Sequence, residues 1–235
     1  MSLMKFTTSI TLYNSYFDKN DRLTSKSILS IFQDVASTHA EDIGVGYMSM
    51  LQKNLYWVLS RIKFDIIKMP EPNQTVIVET WPHPKGKIDF DRDMRILNTS
   101  GDVLITAVSK WCVIDTTTRA LMRTENVNYM GEYFLDVNYL DRFNKIVLPN
   151  QPEINALVHI VNFSDLDHNG HMNNTNYASL IANIMQDKTY SHFEINFTKE
   201  CLLNDKIIVS QMMQDNQNYF IGRVEDKVSF TALLW

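Results

Sequence analysis

The segment from Leu166 to Asn174 concentrates side chains that could catalyse a hydrolysis. It reads LDHNGHMNN, and it spaces a carboxylate (Asp167), an amide (Asn169) and an imidazole (His171) two residues apart. In an extended stretch such residues point to one side, with about 7 Å between neighbours. One group could activate water or attack, another could orient it, and the N–H groups of a helix starting just afterwards could stabilise an oxyanion. The pattern indicates hydrolysis of an acyl group.

A second carboxylate, Glu200, lies further along the chain beside Cys201. Cys201 could be a nucleophile, but adjacent residues of a strand face opposite sides of the sheet. Without a bulge, Glu200 and Cys201 cannot both reach one site. We expect Glu200 to act in the site and Cys201 to pack as a small buried hydrophobe.

Two other interpretations of these residues stay open. Asp-x-Asn sequences are common in turns, where the side chains bind backbone N–H groups, and Asp18 and Asn20 repeat the pattern earlier in the chain. A metal site would have to use His159, His168 and His171, yet no third ligand has diagnostic spacing. We expect neither a metal nor another cofactor.

The chain contains an internal repeat. Residues 17–32 align without a gap with residues 166–181, and most apolar positions coincide. Further matches follow in the same order: 61–64 with 194–197, 75–81 with 206–212, and 102–111 with 226–235, the last pair ending on tryptophan in both copies. We interpret this repeat as the result of an ancient duplication.

The two copies differ where the chemistry is expected. In the alignment Arg22 stands opposite His171, and Ile67 stands opposite Glu200. Only the second copy therefore carries both the histidine and the acid, as we expect if one half catalyses and the other shapes a pocket.

Each copy predicts the same elements: a strand, a loop, an amphipathic helix and several strands separated by turns. Apolar residues recur at helical spacing in two stripes: Ile28, Ile31, Phe32 and Val35, and then Tyr177, Leu180, Ile181, Ile184 and Met185. The predicted helix N-caps are Thr24 or Ser25 and Asn173 or Asn174. The pattern favours an α+β fold in which an antiparallel sheet wraps a long helix, twice.

The predicted domains are an N-terminal unit at residues 1–124, a connector at 125–150 and a C-terminal unit at 151–235. Five aromatic residues lie in the connector: Tyr129, Tyr133, Phe134, Tyr139 and Phe143. We expect the connector to pack against the two units rather than to act as a free linker.

Composition excludes several classes of protein. The 235 residues are 45% hydrophobic and 21% charged, as in a globular chain, and no apolar run is long enough for a membrane helix. A net charge of -5 argues against a nucleic-acid partner. Two cysteines and no export signal favour the cytoplasm. An acidic partner would need a local basic patch. The candidate cations are Lys85, Lys87, Arg92, Arg95, Arg119 and Arg123. These residues could equally be scattered solvated charges.

The string Asp167-x-Asn169-x-His171-Met172-Asn173-Asn174-x-x-Tyr177, followed by Glu200-Cys201, resembles the signature of the acyl-acyl-carrier-protein thioesterases, which include the plant FatA and FatB types and bacterial relatives. The resemblance covers nearly the whole chain. It implies a tandem (double) hotdog fold and hydrolysis of the thioester between a fatty acyl chain and phosphopantetheine, which ends chain elongation in fatty acid biosynthesis. Because the chain starts at its first strand without a transit peptide, it resembles a bacterial member.

The resemblance also implies roles for single residues. Asp167 orients the catalytic groups or attacks directly, and Asn169 and His171 position the thioester and the water. Glu200 acts as the general base. The secondary candidates are Asn173, Asn174 and Cys201. In the family the pocket is formed largely by the N-terminal half, which places the helix at Ile28 to Val35 and the strand at Trp57 and Leu59 near the acyl tail.

The expected partners are the acyl carrier protein and its fatty acyl chain, with no nucleic acid and no membrane. Homodimer formation is left open. The rival functions are an acyl-CoA thioesterase of hotdog fold and a non-catalytic acyl-binding protein, while a hotdog dehydratase fits the asparagine pattern poorly.

Overall fold

The computed structural model describes residues 4–235, apart from the side chain of Asn155. In this part of the chain the helices are α1 (Ser25–Asp42), α2 (Tyr47–Leu51) and α3 (Asn174–Met185). The strands are β1 (Phe6–Thr11), β2 (Leu55–Ile66), β3 (Thr75–Pro82), β4 (Phe90–Asn98), β5 (Val103–Asp115), β6 (Ile154–Ile160), β7 (His192–Phe197), β8 (Lys206–Gln214), β9 (Gln217–Val224) and β10 (Lys227–Leu234).

These strands form one antiparallel sheet, and its order is the same in both halves of the chain. Strands β1 to β5 lie in the order β1-β3-β4-β5-β2, and strands β6 to β10 lie in the order β6-β8-β9-β10-β7. The halves join where β2 pairs with β7, with Ile62 opposite Ile195. Those two residues are equivalent in the sequence repeat. The approximate two-fold axis that relates the halves therefore passes through the junction at this pair. The predicted α+β tandem arrangement is confirmed.

One stretch of the predicted repeat is wrong by a residue. Phe64 pairs with Ala107, whereas its equivalent Phe197 pairs with Phe230. Ala107 therefore corresponds to Phe230, one residue away from the alignment. A one-residue shift moves inward side chains to the other face, and Ala107 and Phe230 are both fully buried.

The two tryptophans that end the copies do correspond, because Trp111 pairs with Leu59 and Trp235 exchanges backbone hydrogen bonds with His192, the equivalent of Leu59. A bulge in β2 between Leu59 and Arg61 accounts for the offset.

The two long helices begin and pack as the sequence predicts. The side chain of Thr24 accepts a hydrogen bond from the N–H of Ser27 (3.1 Å), and that of Asn173 accepts one from Thr175 (2.9 Å). The predicted apolar stripes of α1 and α3 lie in one core beneath the sheet. Burial of these stripes, rather than helix propensity, is the main source of helix stability.

The connector packs against the first half. The ring of Phe134 meets Trp81 edge-on at 5.2 Å between centroids, and the hydroxyl of Tyr139 donates to the carbonyl of Thr106 at 3.0 Å. Within residues 4–235, none of the helices is long and apolar enough to cross a membrane.

Candidate active site

A cavity of about 920 Å³ lies between the two halves of the molecule. Its walls come from α1, α2, β2, β4 and β5 of the first half, and its mouth from the segment before α3 and the segment after β7. All but one of the site residues predicted from sequence line it: Asp167, Asn169, His171, Asn173, Asn174 and Glu200. The exception is Cys201.

The loop that carries Asp167 is a tight turn, so the expectation of an extended stretch is wrong. The N–H of Asp167 donates to the carbonyl of His171 (2.7 Å), and Gly170 has a positive φ of 78°. One carboxylate oxygen of Asp167 accepts hydrogen bonds from the N–H groups of Asn169 (2.8 Å) and His171 (3.2 Å). The carboxylate therefore holds the turn that presents His171.

His171 and Glu200 meet at the mouth of the cavity. Nε2 of His171 lies 3.3 Å from Oε2 of Glu200, and both side chains are largely buried. A backbone hydrogen bond from Met172 N–H to the carbonyl of Cys201 (2.9 Å) joins the residues that follow them. This link places the imidazole beside the carboxylate.

Two residues of the first half complete the surroundings of Glu200. The hydroxyl of Tyr56 donates to Oε1 at 3.4 Å, and the guanidinium of Arg119 contacts Oε2. Burial, and then the charge of Glu200, raises the pKa of Tyr56. Arg119 projects from the turn after β5 with a positive φ of 59°, and Asp115 stabilises that turn.

Sequence reasoning missed both partners of Glu200. It placed Arg119 in a surface patch and gave Tyr56 no role. Tyr56 lies 144 residues and Arg119 lies 81 residues from Glu200 along the chain. No local pattern could have joined them, because the two halves are brought together by tertiary structure: β2 pairs with β7, and α1 packs on α3.

Asn169, Asn173 and Asn174 lie along the rim of the site. Asn169 is exposed at the mouth, and Asn173 uses its side-chain oxygen to cap α3. Asn174 is the first residue of α3, so the N-terminus of this helix faces the cavity. The partial positive charge of a helix N-terminus favours negative charge that develops nearby.

Cys201 is fully buried in the core and does not line the cavity. Burial raises the pKa of its thiol, so the reactive thiolate is disfavoured. The argument from strand alternation was wrong in its premise, since β7 ends at Phe197 and both Glu200 and Cys201 lie beyond it. The two side chains nevertheless point to different places.

The three histidines considered for a metal are engaged separately. Nε2 of His159 lies 2.8 Å from Asp165, and the ring of His168 packs edge-on against Tyr47 at 4.6 Å, while His171 faces Glu200. In the part of the chain that the structure describes, no group of three or more His, Cys, Asp or Glu side chains is placed to hold a metal.

Of the residues predicted to lie near an acyl tail, those of the strand line the cavity and the apolar stripe of the helix does not. Trp57 and Leu59 line the cavity, whereas the apolar stripe from Ile28 to Val35 lies behind it in the core. The helical wall comes from the following turns of α1, which include Ala36 and Ala40. The stripe residues pack in the core because they lie on the face of α1 that is turned toward the sheet.

Three of the six cations considered for a basic patch are engaged within the protein. Arg92 is buried, with 7% of its surface exposed, and it lines the cavity. Arg95 pairs with Asp136 at 2.8 Å, and Lys85 donates to the carbonyl of Val127 at 2.9 Å. These cations are structural partners rather than members of one exposed patch.

Two family models match the chain. The acyl-ACP thioesterase N-terminal domain matches residues 4–130, and the acyl-ACP thioesterase C-terminal domain matches residues 150–230. A curated relative is oleoyl-acyl carrier protein thioesterase 2, chloroplastic, of Arabidopsis thaliana, which is 26% identical over 87% of this chain and 62% of its own length. The oleoyl-acyl carrier protein thioesterase of Coriandrum sativum is 26% identical over 80% of this chain and 57% of its own. The chain thus spans less than two thirds of these relatives.

Solved structures show the same fold. An acyl-ACP thioesterase from Bacteroides thetaiotaomicron superimposes with a TM-score of 0.83 at 23% identity, covering 98% of this chain and 97% of that one. The 12:0-ACP thioesterase from Umbellularia californica superimposes with a TM-score of 0.84 at 17% identity, covering 98% and 96%. With models of both domains matched in order over most of its length, the chain belongs to the acyl-ACP thioesterase family.

Proposed function

We propose that the protein hydrolyses the thioester of fatty acyl-acyl-carrier-protein and releases the free fatty acid. The observation that carries the proposal is the His171–Glu200 pair at the mouth of a cavity of about 920 Å³ with mostly apolar walls. The apolar lining residues are Val45, Met50, Trp57, Leu59, Phe90 and Trp111. Such walls suit an alkyl chain, and the polar mouth suits the thioester.

In the proposed reaction Glu200 is the general base. It takes a proton from a water molecule while the water oxygen attacks the thioester carbonyl carbon. The tetrahedral intermediate then collapses, its carbon–sulfur bond breaks, and the leaving thiolate takes the proton from Glu200. His171, at 3.3 Å from Oε2 of Glu200, orients the carboxylate and the water.

Negative charge develops on the carbonyl oxygen during the attack. The N-terminus of α3 at Asn174 and the exposed amide of Asn169 are the nearest candidates to stabilise it, because both lie at the rim of the cavity. Asn173 contributes indirectly, since its side chain caps the helix.

Asp167 is proposed as a positioning residue rather than as a nucleophile. One of its oxygens already accepts two backbone hydrogen bonds within the turn, and these bonds set the place of His171. A carboxylate that attacked the thioester would have to leave this arrangement.

The proposal also covers the cofactor, the domains, the cellular location and the oligomeric state. The chemistry uses water and side chains alone, so we propose that no cofactor is needed. The first half (residues 1–124) would hold the acyl chain, residues 125–150 would connect, and the second half (151–235) would supply the catalytic groups. Free Cys112 and Cys201 are consistent with the proposed cytoplasmic location. A homodimer stays an open prediction.

The proposal is tested by measuring free fatty acid release by the purified protein from acyl chains of equal length on acyl carrier protein and on coenzyme A. Turnover with a higher kcat/KM for the carrier-protein substrate is expected. A preference for the coenzyme A ester would reassign the carrier. Tight acyl binding without turnover of either substrate would overturn hydrolysis in favour of a binding protein.

A further inference from the structure

Arg92 is a buried cation on the wall of the acyl cavity. It lies on β4 between Asp91 and Asp93, and 7% of its surface is exposed. Most of the side chains that line the cavity inside its mouth are apolar. An alkyl substrate alone does not explain a guanidinium among them. A charge is taken out of water at high cost unless something compensates it.

The guanidinium is only partly satisfied by the protein. Nη1 lies 3.0 Å from Nδ1 of His39 and donates to the hydroxyl of Thr80 at 3.1 Å. Among the described residues no carboxylate forms an ion pair with Arg92, and Nε and Nη2 have no hydrogen-bond partner. The neighbouring Asp91, which also lines the cavity, is paired instead with Lys110 at 2.9 Å and Arg142 at 3.0 Å.

The charge of Arg92 is not cancelled by its neighbours. Burial lowers the pKa of Arg92 to about 10, which still leaves it charged at neutral pH. Burial, and then the charge of Arg92, lowers the pKa of His39 to about 4, so this imidazole is neutral. One uncompensated positive charge therefore stands at the cavity wall.

Arg92 lies far from the proposed catalytic pair. On β5, Ile114 pairs with Tyr56, whose hydroxyl reaches Glu200, and Ser109 pairs with Arg92. These two positions of β5 are separated by five residues, or about 17 Å along the strand. A chain whose thioester sits at Glu200 would therefore extend its far end toward the guanidinium.

We propose that Arg92 forms a subsite for a carboxylate at the far end of the acyl chain, so that the substrates include ω-carboxyacyl groups. The planar guanidinium fork matches a carboxylate in shape and charge, and Nε and Nη2 are the nitrogens available to bind it. The subsite would define the chemical class of the acyl group that is bound, so this inference rests on the proposed function. Asp91 does not compete for the ligand, since its own charge is already paired.

Binding can be measured without any hydrolysis. The probes are pairs of pantetheine thioethers over a series of chain lengths, titrated into the full-length protein by calorimetry. In each pair the carbon number is equal, and one member carries an alkyl chain while the other carries an ω-carboxyalkyl chain. The expected result is tighter binding of the ω-carboxy probe by roughly 10- to 100-fold, as for hydrogen bonds to a charged group. Equal binding, or tighter binding of the alkyl probe at every length, would overturn the subsite.

Two variants separate a ligand subsite from a structural brace. Arg92→Met should reverse the preference between the probes, and Arg92→Lys should keep part of it. Arg95→Met, on the same strand but outside the cavity, is the matched control and should keep the wild-type ratio. Arg92 is a structural brace if Arg92→Met weakens the binding of both probes equally. It is also a brace if Arg92→Met fails to fold and the wild type binds the two probes equally.

Hydrolysis gives an independent result. The wild type should show a higher kcat/KM for ω-carboxyacyl-carrier-protein than for the methyl-ended substrate of equal length. If neither thioester is hydrolysed but the ω-carboxy probe binds more tightly, the proposed function fails and the subsite stands. If both thioesters are hydrolysed equally and the probes bind equally, the subsite fails and the proposed function stands.

Discussion

The loops that precede the two long helices share one backbone design. In the first half Asp18 accepts hydrogen bonds from the N–H groups of Asn20 (2.8 Å) and Arg22 (3.0 Å). In the second half Asp167 accepts the equivalent bonds from Asn169 and His171. The aspartate and the turn it holds are therefore common to a half with the proposed catalytic groups and a half without them.

The loops differ at the residue that the turn presents. Arg22 folds back on Asp18 (2.9 Å) and donates to the carbonyls of Gln186 (3.3 Å) and Asp187 (3.1 Å), so it ties the first loop to the segment after α3. At the equivalent position His171 faces Glu200 and an open cavity. The aspartate turn is therefore a shared scaffold, and the proposed catalytic half differs from the other half by His171 in place of Arg22 on this turn and by Glu200 in place of Ile67.

The largest effect is expected at Glu200. Glu200→Gln removes the proposed base, so turnover of acyl-carrier-protein should fall by roughly 100- to 10,000-fold with little change in stability. Ile67→Gln, at the exposed equivalent position, is the matched control and should leave turnover unchanged. Near-normal turnover in Glu200→Gln would remove this residue from the mechanism.

The next comparison is between His171 and Arg22. His171→Ala should lower kcat by roughly 100-fold, because the carboxylate and water lose their orienting group. Arg22→Ala should instead lower the free energy of unfolding by about 1 kcal/mol, through lost hydrogen bonds, and leave kcat within about 2-fold. Thermal unfolding and kcat measured on both variants check this. If both variants lose kcat, or both lose only thermal stability, His171 and Arg22 do not differ in role as proposed.

A smaller effect separates the two roles of Asp167. Asp167→Asn keeps an oxygen that can accept the backbone hydrogen bonds, so a positioning role predicts a loss of less than about 10-fold in kcat. Direct attack by the carboxylate predicts a loss of about 1,000-fold or more. Asp18→Asn controls for the stability of the turn, and its kcat should match that of the wild type.

The smallest effect is expected at Cys201. Cys201→Ser places a hydroxyl in a buried position, which should lower the free energy of unfolding by about 1–2 kcal/mol. Because the thiol does not line the cavity, kcat should stay within about 2-fold of the wild type. Loss of turnover in a variant that remains folded would restore the thiol as a nucleophile.

Much of the fold could be predicted from sequence because the signals were local or repeated. The apolar stripes of α1 and α3, the caps at Thr24 and Asn173 and the order of strands after each helix all follow from short patterns. The one-residue offset between Ala107 and Phe230 could not be predicted, since it comes from the bulge in β2 between Leu59 and Arg61, which only strand pairing reveals.

The site was predicted less completely. His171 and Glu200 emerged because they are absent from the first copy, and the structure brings them together. Arg119 and Tyr56 come from the other half and meet Glu200 only through the fold. Arg92 looked like a surface charge, because neither composition nor spacing tells a buried arginine from an exposed one.

A double-mutant cycle on kcat with His171→Gln and Glu200→Gln measures whether these two residues carry out the reaction together. If the two residues act as one catalytic unit, each single change lowers kcat strongly and the double variant loses little more than the worse single one. Losses that multiply, or a single variant with wild-type kcat, would contradict the assignment of the reaction to this pair.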